Sequence, residues 1–141
     1  MKMRTCLIVL VACIVFANNL SAQDTIPATA ADTLVVLWSS GDPEVAEKAC
    51  LMYTGYAKSR GWFKEVILLA WGPSERLMSE NQMVKDRIAV LQKDGVIVQA
   101  CVVCANMYGV TDDLKVCSVD VRGTGALLTK YIKRGYKMIS F

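Results

Sequence analysis

The chain has 141 residues, with 16 lysines and arginines, 13 aspartates and glutamates, and no histidine. That length holds one ordinary globular domain, and 54% hydrophobic residues with only 3 prolines exclude a disordered or fibrous chain. The missing histidine excludes Ser-His-Asp and Cys-His catalysis and any His-ligated metal, and a net charge of +3 is too small to argue for a nucleic-acid partner.

Residues 1–22 have the layout of a secretory signal peptide. A basic start (Lys2, Arg4) precedes an apolar run from Cys6 to Ala17, and a polar stretch then ends in small residues at Ala22. The apolar run falls short of the roughly 20 residues that span a bilayer, which argues against a retained anchor. Leu10-Val11-Ala12-Cys13 looks like a lipoprotein processing site, but the apolar run continues past Cys13 through Phe16. The expected product is a periplasmic protein cut after Ala22, with no stable membrane span. Residues 23–32, rich in Ala and Thr, read as a linker, and 33–141 as the domain.

From Thr33 the chain alternates apolar runs with segments of helical period. Leu34–Trp38 is continuously apolar, as in a strand buried on both faces. Asp42-Pro43 supplies an N-cap and a first-turn proline for a helix in which Val45, Ala49, Met52 and Tyr56 recur at helical spacing, ended by Gly61. Val66–Trp71 is a second strand, and a helix over 75–93 is predicted after the Gly72-Pro73-Ser74 turn, with Leu77, Val84, Ile88 and Leu91 inward. Val96–Ala100 is a third strand running into Cys101, and a short helix covers Val102–Tyr108. A weaker strand over 116–121, a helix over 123–134 and a closing strand over 136–141 complete the series. Such alternation predicts an α/β fold: a three-layer α/β/α sandwich on a mostly parallel five-stranded sheet. Function in such folds collects where strands end and helices begin.

Of six cysteines, Cys6 and Cys13 fall in the signal peptide. Only Cys101 and Cys104 of the remaining four form a motif, Cys-Val-Val-Cys, at the junction of the third strand and its helix. A thiol at a helix start has its thiolate stabilised by unpaired backbone N–H groups. Residues three apart on one helical turn share a face, so the two sulfurs could also close a disulfide. Three readings follow: a reactive pair, a structural bridge, or two buried small hydrophobes. Thioredoxin-like chemistry is excluded, because no proline follows Pro73 and Gln99-Ala100 stand where a tryptophan would precede the first cysteine.

The run Asp94-Gly95-Val96-Ile97-Val98-Gln99-Ala100-Cys101-Val102-Val103-Cys104-Ala105 resembles the strand-to-helix signature of the DsrE/DsrF-like sulfur-relay family (DsrEFH-like). The closing Gly135-Tyr136-Lys137-Met138-Ile139-Ser140-Phe141 is similar to that family's "G-Y-x-x-I-x-F" end. The resemblance covers 33–141. It implies a domain that assembles into trimers or hexamers and carries sulfane sulfur as a cysteine persulfide. By it, Cys101 matches the sulfur-accepting cysteine and Cys104 a second cysteine that part of the family has. The implied activity is that of a sulfurtransferase or sulfur carrier. Its partners would be a sulfur donor and an acceptor thiol, on proteins or small sulfur compounds. The signal peptide departs from the cytoplasmic carriers and speaks against a transfer-RNA thiolation role. The other reading is a non-catalytic binding or assembly module in which the cysteine pair is buried or bridged. Exposed apolar residues among Met52, Met78 and Met83 would favour self-association.

Other signals are weaker. Arg122-Gly123-Thr124-Gly125 at a helix start could hold an anion, or be a plain glycine turn. Lys130, Lys133, Arg134 and Lys137 suit a helix C-terminus. Cys50 and Cys117 lack the paired spacing of a four-cysteine zinc site, so no metal or cofactor is expected. Trp38, Trp71 and Tyr108 lie near strand ends, where they would line a pocket or pack the core.

Overall fold

Five short strands make up the sheet, three of them apolar and buried at the centre and two more polar at the edges: β1 (Thr33–Trp38), β2 (Glu65–Ala70), β3 (Ile97–Cys101), β4 (Asp120–Arg122) and β5 (Lys137–Ser140). The computed structural model describes residues 29–141, so the signal peptide expected over 1–22 and most of the linker expected over 23–32 lie outside the described residues. Strand order is β4-β3-β2-β1-β5, and all four pairings are parallel. This is the predicted α/β sandwich.

The helices follow from this order. Pro43–Val45 (α1) continues through a wider turn at Ala46–Cys50 into α2 (Leu51–Ser59); α3 is Pro73–Glu80, α4 Gln82–Lys93, α5 Val102–Tyr108, α6 Thr111–Val116 and α7 Thr124–Lys133. Strands β1 to β4 step in one direction across the sheet, and the chain then returns through α7 to lay β5 beside β1. Right-handed crossovers therefore put α1 to α6 on one face and α7 on the other. The two cores match this division. Val36, Trp38, Leu68, Ile88, Leu91 and Leu114 belong to the large cluster. Val35, Ile67, Leu69 and Tyr131 form the smaller one with Leu127, Leu128 and Met138.

Several elements depart from the sequence expectation. The helix expected over 75–93 breaks at Asn81, which adopts an extended backbone and caps α4 by accepting from the Val84 N–H at 3.1 Å. Asparagine does this well because its short side chain competes for backbone donors. The strand expected over 116–121 is α6 for its first residue and a turn next, and only Asp120–Arg122 pairs. The acidic pair Asp112-Asp113 in the first turn of α6 suits the helix dipole, and this local signal outweighs the β-branched Val116. The stripe Val45, Met52 and Tyr56 faces outward; Ala46, Cys50, Leu51, Thr54 and Ala57 face the sheet instead. Met78 is core, whereas Met52 and Met83 are exposed.

Candidate thiol site at the ends of β2 and β3

Cys101 is the last residue of β3, with an extended backbone, and α5 begins at Val102. Val98 and Ala100 pack into the large core, so Gln99 and Cys101 face the α7 side. Gln99 there accepts the Tyr131 hydroxyl of α7 at 2.9 Å and donates to Asp120 at 3.2 Å. Asp120 in turn pairs with Arg122, the residue beside Cys101 in the β3–β4 register. This polar chain ties the last turn of α7 and the end of β4 to β3 beside the cysteine.

Backbone N–H groups of Cys104, Val103 and Thr124 point at the Cys101 sulfur from the starts of α5 and α7. Burial alone would push this thiol up, since Cys101 is only 5% exposed. The backbone dipoles and the neighbouring Cys104 thiol outweigh burial, and its pKa is lowered. Cys104 is half-buried, and its pKa is raised by burial, by the Cys101 sulfur and by the charge of Glu75, against a lowering contribution from the Gly72 N–H. The two thiols are thus chemically unequal: the thiolate is favoured at Cys101 and disfavoured at Cys104.

A third group joins them. Glu75, in the first turn of α3, is fully buried, and its Oε1 accepts the Cys101 N–H at 3.0 Å. Its Oε2 is buried with no hydrogen-bond partner. Burial pushes this carboxyl up to about 7, although the Cys101 and Gly72 N–H groups favour its charge. One donor atom from each of Glu75, Cys101 and Cys104 lies within 4.8 Å of the other two. The turn that presents Glu75 needs a glycine. Gly72 has φ +74°, a conformation that side-chain-bearing residues rarely adopt, and its N–H reaches toward both Glu75 and Cys104. The Thr124 hydroxyl at the start of α7 is likewise buried without a partner.

Sequence reasoning singled out Cys101 and Cys104 and missed Glu75. It placed the functional end of the second strand at Trp71-Gly72-Pro73-Ser74, one residue short. The available signal was the adjacency of β2 and β3, which sets the first turn after β2 beside the cysteine motif. The loop Arg122-Gly123-Thr124-Gly125, treated as a separate anion candidate, borders the same site through Thr124. Cys50, just before α2, is fully buried in the large core with its thiol pushed up to about 12, and Cys117 is half-buried after α6. Neither approaches the pair closely enough to join its cluster of donors. Trp38 is core, and Tyr108 is partly exposed under the Arg76 guanidinium, 5.4 Å from its ring centre. A separate groove of about 440 Å³ between α1–α2 and α4 is lined by Pro43, Met52, Met83 and Val90 among others, and by none of the thiol-site residues. Among the described residues no helix is long and apolar enough to cross a membrane.

No protein-family model matches the chain, and no curated protein matches it either. Solved structures do. A conserved protein of unknown function from Bacteroides thetaiotaomicron is 30% identical, with a TM-score of 0.75, the match covering 78% of this chain and 95% of that one. The chain belongs to that protein's family. The YchN protein of E. coli matches over 78% of this chain and 99% of its own, with a TM-score of 0.61 and 14% identity. That similarity concerns the fold alone, and the fold is DsrE-like.

Proposed function

We propose that this protein carries sulfane sulfur as a persulfide on Cys101, with Cys104 as the resolving thiol. The observation that carries this reading is the inequality of two adjacent thiols. Cys101 has its thiolate favoured by backbone N–H groups from two helix starts, and Cys104 beside it is held toward the thiol form. In the loading step, the Cys101 thiolate attacks the outer sulfur of a donor R–S–SH. The product is Cys101–S–SH, and R–S⁻ leaves. Unloading has two routes. An acceptor thiolate can take the outer sulfur, returning Cys101 as thiolate. Alternatively the Cys104 sulfur, once deprotonated, attacks the inner sulfur, closing a Cys101–Cys104 disulfide and releasing HS⁻. In the second route two thiols are oxidised as the sulfane sulfur is reduced to sulfide, so a dithiol reductant must then reopen the bridge. Mass spectrometry of the reduced protein after exposure to polysulfide tests the reading; one or more sulfur atoms added at Cys101 are expected.

The chemistry places the partners as a sulfur donor and an acceptor thiol. Export to the periplasm and cleavage near Ala22 are part of the same proposal, supported by the basic, apolar and small-residue pattern of 1–22. So is assembly into a homo-oligomer, supported by the exposed Met52, Met83 and Val90 that line the α2–α4 groove and by the exposed Val45 and Tyr56 of the same helical segment. Sedimentation at micromolar concentration should give a mass above that of a single chain; a single-chain mass would sink the oligomer.

A further inference from the structure

We infer that Glu75, Cys101 and Cys104 form a three-ligand site for a zinc(II)-class cation, with the fourth coordination position open. The inference goes beyond sulfur carriage. It uses the same two thiols but does not require that they ever hold a persulfide.

The first argument is convergence. Three donor atoms from two segments 26 residues apart, the start of α3 and the β3–α5 junction, already gather within 4.8 Å of one another. Tetrahedral zinc, with Zn–S near 2.3 Å and Zn–O near 2.0–2.2 Å, wants its donors roughly 3.3–3.8 Å apart. The remaining difference, about 1 Å or less, is on the scale of side-chain torsional adjustment in Cys104 and Glu75.

The second argument is the unanswered oxygen. A buried carboxylate oxygen without a partner is rare, because desolvation is costly unless a donor, a proton or a cation meets it. Glu75 Oε1 is occupied by the Cys101 N–H, which leaves Oε2 as the atom in want of a partner. Among the described residues no lysine or arginine bridges Glu75. A divalent cation between Oε2 and the two sulfurs answers the oxygen and offsets the negative charge of the three groups.

The surroundings also suit a metal. The backbone N–H groups of Val103, Cys104 and Thr124 that point at the Cys101 sulfur are the kind of outer contacts that orient and tune ligating thiolates. The Gly72 N–H plays the same part toward Glu75 and Cys104. Two thiolates exclude magnesium and calcium, which want oxygen, and the carboxylate makes the set less suited to copper(I) than to zinc(II). Three protein ligands are one fewer than a closed structural site takes. Cys104 is only half-buried, so cation and fourth ligand can enter from its side. The composition argued against zinc by counting cysteines; the carboxylate supplies the donor that count lacked. Binding needs no oxidant, since each ligating thiol gives its proton to solvent as its bond to the metal forms.

The test uses the reduced protein, freed of metal, with Zn²⁺ and Co²⁺ as probes. Competition with a chromophoric chelator should show one Zn²⁺ per chain. X-ray absorption at the zinc edge should show two sulfur neighbours and at least one oxygen at the distances given above. Co²⁺ should give a thiolate charge-transfer band that Cys101→Ser and Cys104→Ser each weaken. Glu75→Gln should raise Kd by about tenfold or more, the scale on which even outer contacts alter metal affinity. Far-UV circular dichroism identifies a variant that has failed to fold, and the absorption measurement on the unaltered protein then decides alone. No binding at micromolar Zn²⁺, an all-sulfur shell, or an unchanged Kd in a folded Glu75→Gln variant would each overturn the site. Sulfur loading of the metal-free protein is scored separately. Sulfur loading in a protein that fails to bind zinc sinks this inference and leaves the carrier standing, and zinc binding in a protein that fails to load sulfur does the reverse.

Discussion

The Cys101 N–H donates to Glu75 Oε1 across 3.0 Å, tying the end of β3 to the first turn of α3. Through this one bond a buried acid on one segment is set against a pair of thiols on another. Its consequences for stability and for thiol chemistry can be measured independently.

Glu75 should leave a mark on stability as a function of pH in the metal-free protein. Its pKa rises from 4.5 to about 7 on folding. Between those values the unfolded chain has released this proton and the folded chain keeps it. Stability is therefore lost as pH rises through that window and levels off above about pH 7, with a loss of roughly 3 kcal/mol. Glu75→Gln keeps an oxygen for the Cys101 N–H and has no proton to release, so its urea midpoint should lack this fall. Parallel profiles for the two proteins would show that Glu75 titrates normally.

Gly72→Ala should cost about 1–3 kcal/mol, because φ +74° is strained for any residue with a Cβ. It should also slow alkylation of Cys104, whose thiolate loses the favourable Gly72 N–H when that peptide shifts. Gly123→Ala is the control: Gly123 has φ −70° and open space where a Cβ would stand. Thermal melts that move equally for both variants would contradict the account of the turn.

Thiol reactivity should divide by position. Cys101 is 5% exposed and carries the favoured thiolate, so a small thiosulfonate should modify it faster than a bulky aromatic disulfide does. Its rate should level off at a lower pH than that of an ordinary thiol, and Cys104 should level off at a higher one. Cys50 should stay unmodified until the chain unfolds, being fully buried with its thiol pushed up to about 12. Peptide mapping after timed alkylation checks all three; early labelling of Cys50 would show that the large core is looser than described.

Much of this was legible in the residues. The continuous apolar runs at 34–38 and 66–70 could only be strands buried on both faces, and Asp42-Pro43 announced a helix start that the structure has, with Asp42 accepting from the Glu44 and Val45 N–H groups. The β3–α5 junction at Cys101-Val102 lies where the cysteine motif puts it. What stayed hidden depends on tertiary contact. The stripe Val45, Met52 and Tyr56 has the right period for a core face, yet the small residues Ala46, Cys50 and Ala57 bring the helix close to the sheet, and packing selected their face. In the sequence Glu75 marks only the start of the helix expected over 75–93. Only strand order, which sets β2 beside β3, turns it into a neighbour of the thiols.

The most direct test of the sulfur-carrying role compares two single substitutions by mass spectrometry of the reduced protein after exposure to polysulfide. Cys101→Ser should load no sulfur, because the attacking thiolate is gone. Cys104→Ser should load sulfur on Cys101 and hold it longer than the unaltered protein, because the resolving attack is missing. Unchanged loading in Cys101→Ser, or loading lost only in Cys104→Ser, would contradict the assignment of Cys101 as the carrier.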